Sequence, residues 1–434
     1  MRSLLAALLL ASVSAPAFAQ ASRDTLADAV ASAVDNNPTL MVQRKTRAVA
    51  DETLEQAKAQ MRPQVGLSGN YGTQYLEYGR SFTTPAGNFP LDGRQERATV
   101  GLEARQTIYN GGALNAQRDQ ARAGVDAAQA QLIGAEQELV LAVVTAFVDV
   151  RRAEEEVSIR ETNVSSLKQQ VQAAKDRFDV GEVTRTDVAQ AEAREAGAES
   201  DFAASKAELA AARATYEQII GRPPVQLAEP PLAPQLPGTV DEAISIARSG
   251  NPALVAARAQ ETAAEKGIGV AKGQLAPKVG IVGSAGMQET YQDQTFRDTN
   301  TGLTAEVSIP LYQGGLLNSK TRSARLESER ARYQRMAVER EVSSQVTIAW
   351  HSTIAAREAI TASTSRVSAA EVALEGAKQE LAVGTRITLD VLDQERELLE
   401  AQLSLVEAER ASYIATHRLL AAMGRLKPGE IARQ

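Results

Sequence analysis

The chain has 434 residues, 44% of them apolar and 23% charged, with a formal net charge of −7. Only 4% are aromatic, so the apolar content is mostly Ala, Val and Leu, which suits long helices packed side by side better than thick globular cores. There is no cysteine and there are two histidines, His351 and His417, which leaves no disulfide scaffold, thiolate metal site or cysteine nucleophile and predicts no lipid anchor on a Cys; the acidic balance argues against a nucleic-acid partner.

Residues 1–19 read as a signal peptide. Arg2 gives the positive start, Leu4 to Val13 the short apolar stretch, and Ala17-Phe18-Ala19 the cleavage site. The run is too short to span a bilayer, and no other stretch approaches the ~18 apolar residues a spanning helix needs. The mature chain is expected from about Gln20. A first repeat then covers residues 20–221. It opens with a helix from Thr25 to Asn36 and another from Pro38 to Arg62, with Pro38 suited to a first helical turn. Two strands follow, at about 64–76 and 96–108, then a long helix over 113–178 and a helix over 187–220. Residues 222–238, with Pro223, Pro224, Pro230, Pro231, Pro234 and Pro237, form a linker. A second repeat, 239–424, carries strands at about 278–288 and 301–311, a long helix over 316–381 and a helix over 390–423. Residues 425–434 form a tail.

The duplication is read from paired motifs at fixed distance. Asn37-Pro38 and Asn251-Pro252 are 214 positions apart, as are Pro63 and Pro277. Tyr109-Asn110-Gly111-Gly112 and Tyr312-Gln313-Gly314-Gly315 are 203 apart, as are Val180-Gly181 and Val383-Gly384, Asp187 and Asp390, and Gly221 and Gly424. The offset changes once, by 11 residues, between Pro63 and Tyr109, which places a longer loop in the first repeat.

The long helices carry heptads. Val143, Val150, Val157, Val164, Val171 and Phe178 are seven apart, and so are Val346, Thr353, Ile360, Val367, Leu374 and Leu381. The last helix adds Leu392, Leu399, Val406, Tyr413 and Leu420. Sustained sevens make a coiled-coil seam. A helix of about 66 residues spans roughly 100 Å, so the two shorter helices of each repeat, stacked end to end, match the long one. The helical part is therefore a rod or the wall of a tube.

The strands alternate. Val65, Leu67, Tyr71 and Tyr75 oppose Gln64, Ser68, Asn70 and Gln74, while Ala98, Val100, Leu102 and Ala104 oppose Thr99, Glu103 and Arg105. Val279, Ile281, Ala285 and Met287, then Leu303, Ala305, Val307 and Ile309, repeat the pattern. Segments of this length cross an outer membrane when tilted, with Glu77–Gln95 and Gln288–Asn300 as polar exterior loops. A half-buried soluble sheet shows the same alternation. Four strands cannot close a membrane barrel, since the smallest have eight, so either the sheet is soluble or several chains share one barrel. The unpaired rods favour sharing.

This arrangement resembles the TolC family of outer-membrane channel proteins. The most specific part is Val383-Gly384-Thr385-Arg386-Ile387-Thr388-Leu389-Asp390-Val391-Leu392-Asp393, and the duplicated boundaries Ile108–Gly112 and Pro310–Gly315 add to it. The resemblance implies a mixed α and β membrane protein, a homotrimer in which each chain gives four strands to a 12-strand barrel in the outer-membrane lipid, continued by a helical coiled-coil tunnel through the periplasm. It implies an exit duct for efflux or type I secretion, working with a periplasmic adaptor protein and an inner-membrane transporter. It also implies a gate at the periplasmic end, with Arg386 as a lock pairing with a neighbouring helix and Asp390, Asp393 and the repeat counterpart Asp187 as candidates for rings of carboxylates on the axis, which would select cations. Helix starting chemistry is the plain alternative for Asp187 and Asp390. Leu381 stands where the family often has a lock tyrosine. The adaptor-contacting tips are Val180-Gly181-Glu182 and Val383-Gly384-Thr385, with Glu182 departing from the family's Val-Gly-Leu.

Trp350-His351 reads as packing. No phosphate loop, metal-ligand spacing or nucleophile with a base is found, so no catalytic, cofactor or metal site is predicted, nor an enzyme. The competing reading is a soluble periplasmic coiled-coil adaptor or scaffold.

Overall fold

The computed structural model describes residues 24–76, 81–85, 87–90, 93–232, 234–291 and 295–431. The expected signal peptide lies outside the described residues, as do parts of the first expected loop and of the tail. Among the described residues no helix is long and apolar enough to cross a membrane.

The helices are α1 (Leu26–Asn36), α2 (Pro38–Ala59), α3 (Ala113–Asp179), α4 (Arg185–Ile220), α5 (Val240–Gly250), α6 (Pro252–Gly273), α7 (Leu316–Ala382), α8 (Thr388–Ala422) and the short α9 (Pro428–Ile431). The helices α3 and α7 have 67 residues each, roughly 100 Å of helix. The Asn-Pro motifs explain how shorter helices keep pace with them. Asn37 Oδ1 accepts the Thr39 and Leu40 N–H groups at the start of α2, while its Nδ2 donates to Ile219 O in the last turn of α4, at 3.1 Å. Asn251 does the same at the start of α6 and donates to Ala422 O at the end of α8, at 2.8 Å. One side chain thus satisfies free donors of one helix and a free carbonyl of another. It splices α4 to α2 and α8 to α6 as near-continuous rods beside α3 and α7.

The thick part of the core surrounds these splices. Val140, Val143, Phe147 and Val150 of α3, Val342 and Val346 of α7, and Leu419 and Leu420 of α8 are buried with Leu26 and Val30 of α1 and Ala243 and Ala247 of α5. The chain entering α1 is tied down as well. Asp24 is buried and accepts from Tyr216 Oη at 2.8 Å and Arg222 Nη2 at 2.5 Å, and its backbone bridges to the linker at Leu227. Away from the middle, the buried residues of the hairpins include the seam positions Val164, Val171, Leu374 and Leu392.

The strands are β1 (Gln64–Leu76), β2 (Ser81–Thr84), β3 (Gly87–Pro90), β4 (Gly93–Tyr109), β5 (Lys278–Tyr291) and β6 (Thr295–Ser308). The main sheet is antiparallel in the order β1-β4-β5-β6, so the β4–β5 pairing joins the two repeats and β1 and β6 are its edges. The register sets Leu67 beside Leu102, Leu102 beside Ala285, and Gly283 beside Leu303. Apolar side chains therefore share one face, which stays uncovered: Leu67 is 75% exposed and Leu303 80%.

Two expectations about the loops are corrected. The segment Gln288–Asn300, expected as a polar loop between strands at 278–288 and 301–311, is mostly strand, because β5 runs on to Tyr291 and β6 begins at Thr295. Its polar side chains pair across the hairpin, Arg297 Nε donating to Glu289 Oε1 at 2.6 Å, so polarity marks where the strands leave the apolar band and not where they end. At the other end β6 stops at Ser308, ahead of Pro310, which has no N–H for the ladder. In the first repeat, the longer connection Glu77–Gln95 holds the β2–β3 hairpin and the start of β4.

Candidate gate at the helical tips

At the end away from the sheet, α3–α4 and α7–α8 form two hairpins with the same turn. Gly181 and Gly384 take φ of +83° and +79°, a left-handed conformation that favours glycine. The following N–H closes each helix: Glu182 N donates to Arg177 O at 2.9 Å, and Thr385 N to Glu380 O at 3.0 Å. The turns leave Val180 and Val383 exposed at the tips, each above 70%. On the second hairpin Thr385 Oγ1 also donates to Glu380 O, whereas Glu182 places a carboxylate on the first.

The aspartates predicted for the gate do different jobs. Asp187 forms a capping box with Thr184: its carboxylate accepts the Thr184 N–H and hydroxyl, both at 2.8 Å, and Thr184 Oγ1 accepts the Asp187 N–H. The Thr184 backbone N–H, with help from the hydroxyl, holds this carboxyl below the ordinary carboxylate range. Asp390 starts α8 in the same position, accepting the Ile387 N–H at 3.4 Å, but Ile387 has no hydroxyl to return the bond. Asp393 instead reaches across to the first hairpin, where Arg194 Nη2 of α4 donates to its Oδ1 at 2.6 Å. Arg386 pairs with Glu380 of its own hairpin at 2.5 Å. Leu381 packs half-buried against Leu374, Ala377 and Val391.

One more contact joins the hairpins. Glu395 of α8 is 5% exposed and faces α3, where Ser166 Oγ donates to its Oε1 at 2.8 Å and Gln170 Nε2 at 3.4 Å; Lys378 Nζ of α7 lies 3.6 Å away. Its Oε2 is buried without a partner. Leu392 packs nearby with Leu167, Val171, Ala174 and Ala191 of the first hairpin. The bonds therefore sort into two sets. Arg386–Glu380 and the aspartate caps travel with one hairpin, while Arg194–Asp393 and Ser166–Glu395 break if the hairpins part.

The family model for outer membrane efflux proteins matches residues 29–222 and 243–425. The chain belongs to the outer membrane efflux protein family. It is 32% identical to the outer membrane efflux protein BepC of Brucella suis biovar 1 (strain 1330), over 95% of this chain and 88% of that one. It is 26% identical to the outer membrane protein TolC of Escherichia coli (strain K12), over 91% and 81%. Among solved structures, the outer membrane protein VceC from Vibrio cholerae superposes with a TM-score of 0.79 at 21% identity, covering 92% of this chain and 96% of that one. The fold of the family, a membrane sheet continued by long helices, is the fold described above.

Within this family member the sequence pattern did not point to the two cross-hairpin carboxylate contacts. Arg194 carries no motif. Glu395 had a signal: it lies three residues after Leu392 and four before Leu399, a seam position where a carboxylate is out of pattern. Among the described residues no cluster of three His, Asp or Glu side chains is arranged to hold a metal.

Proposed function

We propose that this chain is the outer-membrane exit duct of a tripartite efflux or type I secretion system, a homotrimer whose sheet spans the outer membrane and whose helices tunnel through the periplasm. The observation that carries the reading is a four-stranded sheet whose edges, β1 and β6, are unpaired and whose apolar face is uncovered among the described residues. Such a sheet needs other strands to close and lipid to cover it, and pairing β1 of one copy with β6 of the next supplies both in a 12-strand barrel. The helices support the same closure. Val42 and Val49 on α2, and Leu326 and Tyr333 on α7, are seven residues apart and more than 60% exposed, as open heptad seams awaiting a neighbour.

In this reading residues 1–19 direct export. The tips Val180-Gly181-Glu182 and Val383-Gly384-Thr385 meet a periplasmic adaptor, and an inner-membrane transporter supplies the energy. The duct itself is passive. Its closed end is held by the cross-hairpin bonds, with the Arg386–Glu380 pair fixing the shape of the α7–α8 tip at the constriction, while Asp390 and Asp393, repeated three times, favour cations. The test is the purified protein in planar bilayers. A trimer with ion conductance is expected, with Arg386→Ser raising the conductance and Asp390→Ala with Asp393→Ala lowering cation preference. A soluble monomer that carries no current would overturn the duct; unchanged conductance and selectivity in these variants would overturn the placement of the gate.

A further inference from the structure

Midway along the helices, the α6–α8 splice is flanked by α3 and α7, and a groove of about 670 Å³ lies over it. Its walls include Leu141 of α3 and Ile348 of α7, and its floor Pro252 and Ala415. It opens away from the layer of short helices. At about 100° per residue, Glu138 stands about 180° around α3 from Phe147, and Ile348 about 200° around α7 from Val346, whereas Phe147 and Val346 belong to the core shared with α1 and α5. In the exit-duct reading, where the layer of α1 and α5 takes the outer face of the helical wall, the groove opens into the duct.

Among the described residues, Gln137 Nε2 and the Arg418 guanidinium stand in the groove without a hydrogen-bond acceptor or ion-pair partner. Gln137 lines it, is only 4% exposed, and its Nε2 is buried without an acceptor. A donor shut away from water in this way is unfavourable until something supplies an acceptor. Arg418 also lines the groove and is exposed, with no carboxylate partner among the described residues, whereas the neighbouring Arg410 is engaged by Asp149 and Glu407. The carboxylate of Glu138, on the α3 wall, biases the negative end of an occupant toward Arg418 on α8.

We propose that this groove is a transit site for amphipathic carboxylates: an apolar body against Leu141, Ile348 and Ala415, the carboxylate on Arg418, and an acceptor oxygen on Gln137 Nε2. The size fits an occupant of drug or short acyl-chain dimensions. Each protomer holds a whole groove, so a trimer presents three. The transit role rests on the exit-duct reading; the binding does not.

The test uses the full chain in lipid nanodiscs, titrated with 11-(dansylamino)undecanoate and followed by dansyl fluorescence. Saturable binding above that of empty nanodiscs is expected. Arg418→Gln, at an exposed position, should weaken it about tenfold, the scale of one hydrogen bond to a charged group. Ala415→Leu, which fills the floor, should weaken it at least as much, and the uncharged methyl ester of the probe should bind the native protein about tenfold more weakly. Native-like binding in both variants, or an ester that binds as tightly as the acid, would overturn the site. Planar-bilayer conductance of the same preparations separates the two readings. A chain that binds the probe but carries no current loses the duct and keeps the site, and a conducting chain without saturable binding loses the site alone.

Discussion

The Ser166–Glu395 contact makes a prediction in which two neighbouring substitutions act in opposite directions. Glu395 is buried with one oxygen bonded to Ser166 at 2.8 Å, and its other oxygen has no partner. Ser166→Ala leaves Gln170 at 3.4 Å and Lys378 at 3.6 Å as the remaining neighbours. A hydrogen bond to a charged acceptor contributes about 1.5–3 kcal/mol. It exists only while α8 lies on α3, because a parted hairpin exposes the carboxylate to water. The closed state should lose that amount, and opening should become roughly 10- to 150-fold more favourable. Glu395→Leu removes the same bond but also the desolvated, half-satisfied carboxylate, and it extends the apolar seam between Leu392 and Leu399. Burying a leucine contributes about 1.5–3 kcal/mol, and replacing a buried charged contact by an apolar one is often stabilising. This variant should close more tightly, lowering open probability about tenfold. The Arg194–Asp393 bridge, with side chains 28% and 42% exposed, is expected to contribute only about 0–1 kcal/mol, so Asp393→Ala should open the duct less than Ser166→Ala. Single-channel recording in planar bilayers reads all three. The reasoning fails if Ser166→Ala and Glu395→Leu shift open probability the same way, or if Asp393→Ala alone opens the channel.

Other variants probe the splices and the core. Gly424 has φ of +77°, and a Cβ there would lie 2.3 Å from Gly250 O, whereas its repeat counterpart Gly221, at +87°, has nothing nearer than 4.0 Å. Gly221→Ala should cost about the 1–2 kcal/mol of a left-handed alanine and Gly424→Ala clearly more; equal thermal midpoints would refute the distinction. Asn251→Ala loses the cap of α6 and a part-buried bond to Ala422 O, together about 2–3 kcal/mol, seen as faster amide exchange at the start of α6. His417 is fully buried, its Nδ1–H donates to Tyr413 O at 2.8 Å, and its Nε2 has no partner. Burial pushes its pKa below the ordinary value, so the neutral ring is the folded form. The resulting stability is fully present above a pH of about 6.5 and is lost as the pH falls through the unfolded and then the folded pKa. His417→Leu should remove this part of the acid sensitivity of the thermal midpoint.

Much of the architecture was legible because it is written in periods. Heptads from Val143 to Val171 and from Leu392 to Leu420 announced seams, period-two alternation from Gln64 to Gln74 announced a two-faced strand, and the offsets of 203 and 214 announced a duplication. These signals are local: each depends on helix or strand geometry and on which side of an element is apolar. Across Gln288–Asn300 the polar sequence gives no sign that β5 runs to Tyr291 and β6 begins at Thr295. There, cross-strand pairing satisfies the backbone whatever the side chains are.

What lay beyond the pattern is which helix meets which. The Asn-Pro motif shows where a helix starts, but nothing local tells that Asn251 also ties the end of α8, 171 residues later in the chain. Asp390 and Asp393 stand one turn apart on one helix, yet one caps its own helix while the other bonds to α4, because α8 packs against the first hairpin as well as against α7. The bare Gln137 amide and the Arg418 guanidinium share a groove because α3, α6, α7 and α8 converge at the splice. Residue spacing determines the elements and their faces through backbone geometry alone. Partners that lie on other elements, such as Arg194 for Asp393, are decided only when distant elements pack, because a hydrogen bond needs an acceptor within about 3 Å and sequence distance carries no information at that range.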